Sequence, residues 1–120
     1  MPREFARHER LATEIHRALS ELLRVETRDP RLAHVSLTAV ELSRDLGVAR
    51  VHFSLLDPDD APGPALEGLE RAAGFLRSKL GHVLTVRHVP ELRFAHDDSA
   101  ERSMRISELL DRALHPDDHG

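Results

Sequence analysis

Leu69-Glu70-Arg71-Ala72-Ala73-Gly74-Phe75-Leu76-Arg77-Ser78-Lys79-Leu80 is the stretch on which the fold turns. Leu66, Leu69, Ala73, Leu76 and Leu80 recur at three- and four-residue steps, the spacing of one apolar helical stripe. Gly74 interrupts that stripe, and a glycine inside a helix costs about 1 kcal/mol relative to alanine. The segment therefore reads as two short helices meeting at Ala72, Ala73 and Gly74, the glycine being either a tolerated defect or a bend. Arg71, Arg77 and Lys79 flank the junction and open the most basic window of the chain.

Upstream, Asp57-Pro58-Asp59-Asp60-Ala61-Pro62-Gly63-Pro64 cannot continue a strand and reads as an acidic loop, with Pro64 suited to the first helical turn. Before it, Val51, Phe53 and Leu55 alternate with Arg50, His52 and Ser54, the pattern of a strand with one core face and one wet face. Ser43-Arg44-Asp45-Leu46-Gly47 is the preceding turn, in which Gly47 is the residue suited to positive φ. Val35 to Ala39 also alternates, but Val40 and Leu42 are apolar on the opposite parity, which predicts a bulge or twist. Asp29-Pro30-Arg31-Leu32 ends a first helix over residues 6–26, whose Leu11, Ile15, Ala18, Leu19 and Leu22 share one side. Arg3, Arg7, Arg10, Arg17 and Arg24 share the other side with Glu14 and Glu21. That side is either a solvated face laced with ion pairs or a strip for phosphates.

Downstream, Leu84 to Arg87 fits a helix end or a short strand equally well, and Pro90 stops either. Leu92 and Phe94 point inward on a last strand over residues 91–96. Asp98-Ser99-Ala100-Glu101 fits a capping arrangement for a final helix through Ile106, Leu109, Leu110 and Ala113. The order is α-β-β-α-α-β-α: an α+β chain with one expected domain over residues 1–114 and a disordered polar tail over 115–120.

The chain has 120 residues, enough for a self-sufficient core without staples, and no cysteine, which excludes disulfides and thiolate metal sites. No signal-peptide pattern and no apolar run of membrane-spanning length is present, so a cytoplasmic location without membrane contact is expected. Net charge is −4, yet it is unevenly distributed. Residues 57–70 carry five acids and no base, whereas residues 71–93 carry four Arg, one Lys and one Glu. A polyanion-binding face has to be built locally in such a chain.

Nine histidines are scattered without a metal-ligand pattern, so no metal is expected. No phosphate-binding glycine loop and no nucleophile elbow occurs, so neither a cofactor, a small-molecule substrate nor an enzymatic reaction is indicated. Tyr and Trp are absent, and the four Phe read as packing residues. RNA, if bound, is held through backbone charge and shape rather than base stacking.

The α-β-β-α-α-β core resembles a type II KH domain, which implies a three-stranded sheet with helices on one face. The Gly-x-x-Gly clamp of that fold is absent, and Ala72-Ala73-Gly74 stands at the corresponding junction. An Ala-x-Gly bend there is a mark of the ribosome-binding factor A family. Arg7 and Arg10, Asp29-Pro30-Arg31-Leu32, Ser43-Arg44-Asp45-Leu46, Ala72-Ala73-Gly74-Phe75-Leu76-Arg77, Val89-Pro90-Glu91-Leu92-Arg93-Phe94, Asp98-Ser99, Glu101-Arg102 and Ile106 match in the family's order. The resemblance implies a non-enzymatic, monomeric factor that binds the immature 30S ribosomal subunit, contacts 16S rRNA and promotes late maturation of its 5′ end. It also implies a role in growth at low temperature. By position, Arg7, Arg10, Arg17, Arg44, Arg71, Arg77 and Lys79 are the expected RNA contacts, with Ala72, Ala73 and Gly74 as the interhelical kink. The acidic balance and very short tail depart from the family pattern. The acidic charge also motivates a second reading, a protein–protein adaptor that docks through the same bent helix pair.

Overall fold

The computed structural model describes residues 2–57 and 59–114, so the tail expected over 115–120 lies outside the described residues. The elements are α1 (Pro2–Val25), a 3-10 turn (Pro30–Leu32), β1 (Val35–Leu42), β2 (Val48–Leu55), α2 (Pro62–Val83), β3 (Glu91–His96) and α3 (Ser99–Leu114). Helices and a three-stranded sheet make an α+β fold. Strand order is β1-β2-β3, with β1 antiparallel and β3 parallel to the central β2. A parallel pair needs a long crossover, which α2 supplies.

The core is a single layer between the sheet and two helices. Ala49, Val51 and Phe53 on β2 are buried, with Leu37 and Leu92 beside them on the flanking strands. Ile15, Leu19 and Leu22 of α1 and Ala65, Leu69, Leu76 and Leu80 of α2 close over them. Each large side chain so buried contributes about 1.5–3 kcal/mol. On β1 the register shifts between Leu37 and Ala39, so the parity change in the sequence is a bulge. It lets both Leu37 and Val40 pack into or against the core.

Two expectations are corrected. First, α2 is one hydrogen-bonded helix through Ala72, Ala73 and Gly74, not two helices, so the order is α-β-β-α-β-α. Leu69, Leu76 and Leu80 are fully buried on both sides of the glycine. Their burial outweighs the propensity cost of one exposed glycine. Second, the left-handed residue of the β1–β2 turn is Leu46, with φ 61°, rather than Gly47. Asp45 Oδ1 accepts from the Gly47 N–H at 2.9 Å and from Ser43 Oγ at 2.8 Å, and the Leu46 N–H reaches the Ser43 carbonyl at 2.9 Å. Those bonds hold a conformation that costs a side-chain-bearing residue about 1–2 kcal/mol. They also depress the Asp45 pKa, the Gly47 N–H being the largest cause.

Leu84 to Arg87, which the sequence leaves open between helix and strand, forms neither. The apolar stripe of α3 is present but stays uncovered: Ile106, Leu109, Leu110 and Leu114 are 57–73% exposed.

Two glycines on α2 give substitutions of opposite sign. An added Cβ at Gly74 meets nothing within 4 Å, whereas at Gly68 it lies 3.1 Å from Leu32 Cδ2 and 3.2 Å from Asp29 Oδ2. Gly74→Ala is therefore expected to stabilise the fold by about 0.5–1 kcal/mol. Gly68→Ala is expected to destabilise it by about 1–3 kcal/mol through overpacking. Urea unfolding followed by circular dichroism measures both, and a stability loss in Gly74→Ala would mean that the helix needs a bend there.

Candidate nucleic-acid interface

Arg7, Arg10 and Arg17 are exposed on the outer arc of α1, and among the described residues no group pairs with their side chains. Helix geometry carries them along one flank of the arc held by Leu11, Ile15, Leu19 and Leu22, with Arg7 at its edge. Glu14 stands among them, and Arg24 farther along the same arc is tied to Glu21 at 2.7 Å. Arg44 sits in the β1–β2 turn, which the His8 ring holds against α1 through the Arg44 carbonyl at 3.2 Å. Phe5, His8, Val40 and Arg44, together with the carboxylates Glu9 and Glu41, line a groove of about 620 Å³ between that turn and the start of α1. Arg44 thus joins the Arg7 end of the helix. A second imidazole, His16, meets the Leu37 carbonyl at 2.9 Å, so α1 is fastened to the β1 side of the sheet at two points.

Of the three bases of α2, Arg77 and Lys79 are held by contacts of their own. Arg71 lies in the field of Asp29. Arg77 donates from Nε and Nη2 to the Val89 carbonyl at 3.1 and 2.9 Å. Lys79 stands 3.9 Å from Glu26 and 5.6 Å from the centre of the Phe75 ring. Residues two apart on a helix differ by about 200° around its axis. Arg77 and Lys79, close in sequence, consequently lie on opposite flanks of α2.

The Asp29-Pro30-Arg31-Leu32 motif is a clamp. Asp29 accepts from the Arg31 backbone at 2.9 Å, and its other carboxylate oxygen meets the Arg31 guanidinium at 2.7 Å. The side-chain bond from Arg31 is the chief cause of a lowered Asp29 pKa, and Arg31 is raised in return. The pair sits over Gly68, the one glycine of α2 where an added side chain would collide with it. Arg31 also stands 3.7 Å from Glu67. These residues join the end of α1 to α2 and hold the angle between the layers.

At the far end of β3, Asp97 rather than Asp98 makes the side-chain cap of α3. Its Oδ1 accepts from the Ser99 N–H at 2.9 Å, and its Oδ2 accepts from Thr38 Oγ1 at 3.0 Å. Asp98 pairs instead with Arg102 at 3.1 Å. The bonds from Ser99, backbone first, then that from Thr38, lower the Asp97 pKa to about 2. No spacing in the sequence pairs Thr38 with Asp97, because the contact exists only once β1 and β3 flank β2. Arg87 is the other residue that sequence spacing does not single out. It is exposed in the link before β3, and among the described residues nothing pairs with it. The one signal for it in the sequence is its place in the acid-poor window.

Among the described residues, no three His, Asp or Glu side chains come together as a metal site, and no helix is long and apolar enough to cross a membrane. What the surface offers is separated guanidinium groups on a rigid frame, with donors free among the described residues, chemistry suited to phosphate oxygens.

The chain is similar to known proteins both in sequence and in fold. The sequence profile of ribosome-binding factor A matches residues 7–110. A ribosome-binding factor A of Thioalkalivibrio sulfidiphilus is 47% identical, with 98% of this chain and 96% of that protein covered. The crystal structure of ribosome-binding factor A from Thermus thermophilus superposes with a TM-score of 0.69 at 30% identity, covering 74% of this chain and 93% of that one. A Thermus thermophilus ribosome binding factor A fitted into the cryo-EM map of its 30S complex gives 0.60 at 30% identity, over 72% and 91%.

The Asp97 tether has a pH signature. Its folded-state pKa lies below the unfolded value near 3.9, so its contribution is complete above about pH 4 and is lost as pH falls through about 2. Carboxyl NMR titration is expected to place the Asp97 midpoint near 2, and Thr38→Ala is expected to raise it. A midpoint unchanged by Thr38→Ala would show that the β1 contact does not hold the carboxylate.

Proposed function

The chain belongs to the ribosome-binding factor A family, and on that premise we propose that it is an assembly factor of the small ribosomal subunit. In this reading it is a cytoplasmic, monomeric, non-enzymatic protein whose KH-like domain spans residues 1–114. It binds the immature 30S particle, contacts 16S rRNA, promotes late processing of the rRNA 5′ end and serves growth at low temperature. The observation that carries the reading is the strip of exposed Arg7, Arg10 and Arg17 on α1, without partners among the described residues and continued by Arg44 at its end. In a chain of net charge −4, a strip left without carboxylate partners fits a polyanionic partner. The Thermus factor fitted into its 30S complex supports the choice of partner.

Arg71 is retained as a contact in this scheme, while Arg77 and Lys79 already hold intramolecular contacts. Ala72, Ala73 and Gly74 stand in place of a phosphate clamp, on a helix that runs through them. The adaptor reading supposed two helices meeting at the glycine, whereas α2 is one continuous helix.

Sucrose-gradient sedimentation of a cell extract is expected to place the protein with 30S particles, and its absence from those fractions would defeat the assignment. Binding to purified 30S subunits should weaken steeply with salt. The triple variant Arg7→Ala, Arg10→Ala, Arg17→Ala is expected to lower the slope of log affinity against log salt by about 2–3. An unaltered slope would remove α1 from the interface.

A further inference from the structure

Residues 71–90 form the longest stretch of the chain without an acid, and they contain four strong bases, Arg71, Arg77, Lys79 and Arg87. The fold engages two of them by direct contact: Arg77 is bonded to the Val89 carbonyl, and Lys79 is set between Glu26 and the Phe75 ring. Arg87 has no partner among the described residues. It lies in the link from α2 to β3, Leu84 to Pro90, which carries no helix or strand.

That link is nevertheless held. Leu84 and Pro90 are buried at its two ends, and Val86 and Val89 pack half-buried against the core. Thr85, Arg87 and His88 are thereby turned outward. The backbone beside them is gripped by a side chain of α2, the two guanidinium donors of Arg77 meeting the Val89 carbonyl. A charge-assisted pair of bonds from a planar fork sets orientation as well as distance. Those bonds tie the carbonyl two residues beyond Arg87 to the C-terminal third of α2.

We propose that Arg77 is a positioning residue for RNA binding and that Arg87, with His88 beside it, is the phosphate-contacting group it presents. The inference rests on the ribosome-binding reading and assigns a contact which that reading does not contain. Arg77 acts through the link: it holds the backbone, and the backbone aims Arg87. The ligand chemistry is a phosphodiester oxygen, taken by the exposed Arg87 guanidinium.

The test is a double-mutant cycle in binding to purified 30S subunits over a range of salt. Arg87→Ala is expected to weaken binding about fivefold and to lower the salt slope by about one. Arg77→Ala should produce a similar loss in the wild-type background and less than about a twofold further loss in the Arg87→Ala background. Arg77→Lys, which keeps the charge but not the fork, should weaken binding in the same Arg87-dependent manner, and it serves where Arg77→Ala lowers the melting temperature. Wild-type affinity in Arg87→Ala, full affinity in Arg77→Lys, or losses that multiply independently would each overturn the proposal. If the wild-type chain itself failed to bind, the ribosomal reading would fall instead, and the two failures are distinguished by that control.

Discussion

Val51 and Phe53 on the central strand, and Ile15, Leu19, Leu69, Leu76 and Leu80 on the two helices, lose all contact with water. Every other feature hangs from this contact layer. At about 25 cal/mol per Å² of apolar surface removed from water, it is the largest favourable term available to a chain without disulfides. It requires α1 and α2 to lie on one side of the sheet, and it leaves Arg50, Arg93 and the wet edge of His52 on the other. It also sets which polar side chains are carried outward on the helices. The arginine strip of α1 is exposed because the adjoining apolar arc is the one buried, not because any local signal turns it out.

Around the layer, short polar motifs act as fasteners. Ser43-Arg44-Asp45-Leu46 ties a turn through one carboxylate, and so holds Arg44 beside the start of α1. Asp29-Pro30-Arg31-Leu32 ties the end of α1 to α2 across Gly68. The Glu91 N–H meets the Gly47 carbonyl at 2.9 Å, which locks the start of β3 to that same turn. Single polar bonds of this kind add little net stability. Their value lies in geometry, since each converts a flexible connection into a fixed spacing between cationic groups. A binding surface made of separated arginines depends on such spacing more than on any one contact.

Much of this is legible in the residues alone. Strand positions, the bulge on β1 and the amphipathic arcs of α1 and α3 all follow from periods of two and 3.6 residues, which the backbone imposes locally. The departures share a cause. Poor helix propensity makes Gly74 read as a break, yet Leu69, Leu76 and Leu80 are buried on either side of it by other elements. Free access to positive φ makes Gly47 the natural left-handed residue of its turn, yet the Asp45 carboxylate holds Leu46 there instead. Arg77 and Lys79 look like one cluster along the chain, although the helix sends them to opposite flanks.

The sequence by itself determined the elements, apart from the division of α2 and the course of Leu84 to Arg87, together with the inward faces and the charge imbalance that points to a polyanion. Those are properties of single segments, set by side-chain polarity and backbone period. Tertiary structure alone decided the partners of polar groups that different segments bring together: Thr38 with Asp97, Arg77 with Val89, and the Asp29–Arg31 pair over Gly68. The reason is physical. A hydrogen bond depends on positions to within a few tenths of an ångström, and those positions exist only after the apolar layer has brought the segments together. For that reason the basic stretch is visible in the sequence, while the division of its arginines between holding the fold and facing a partner is not.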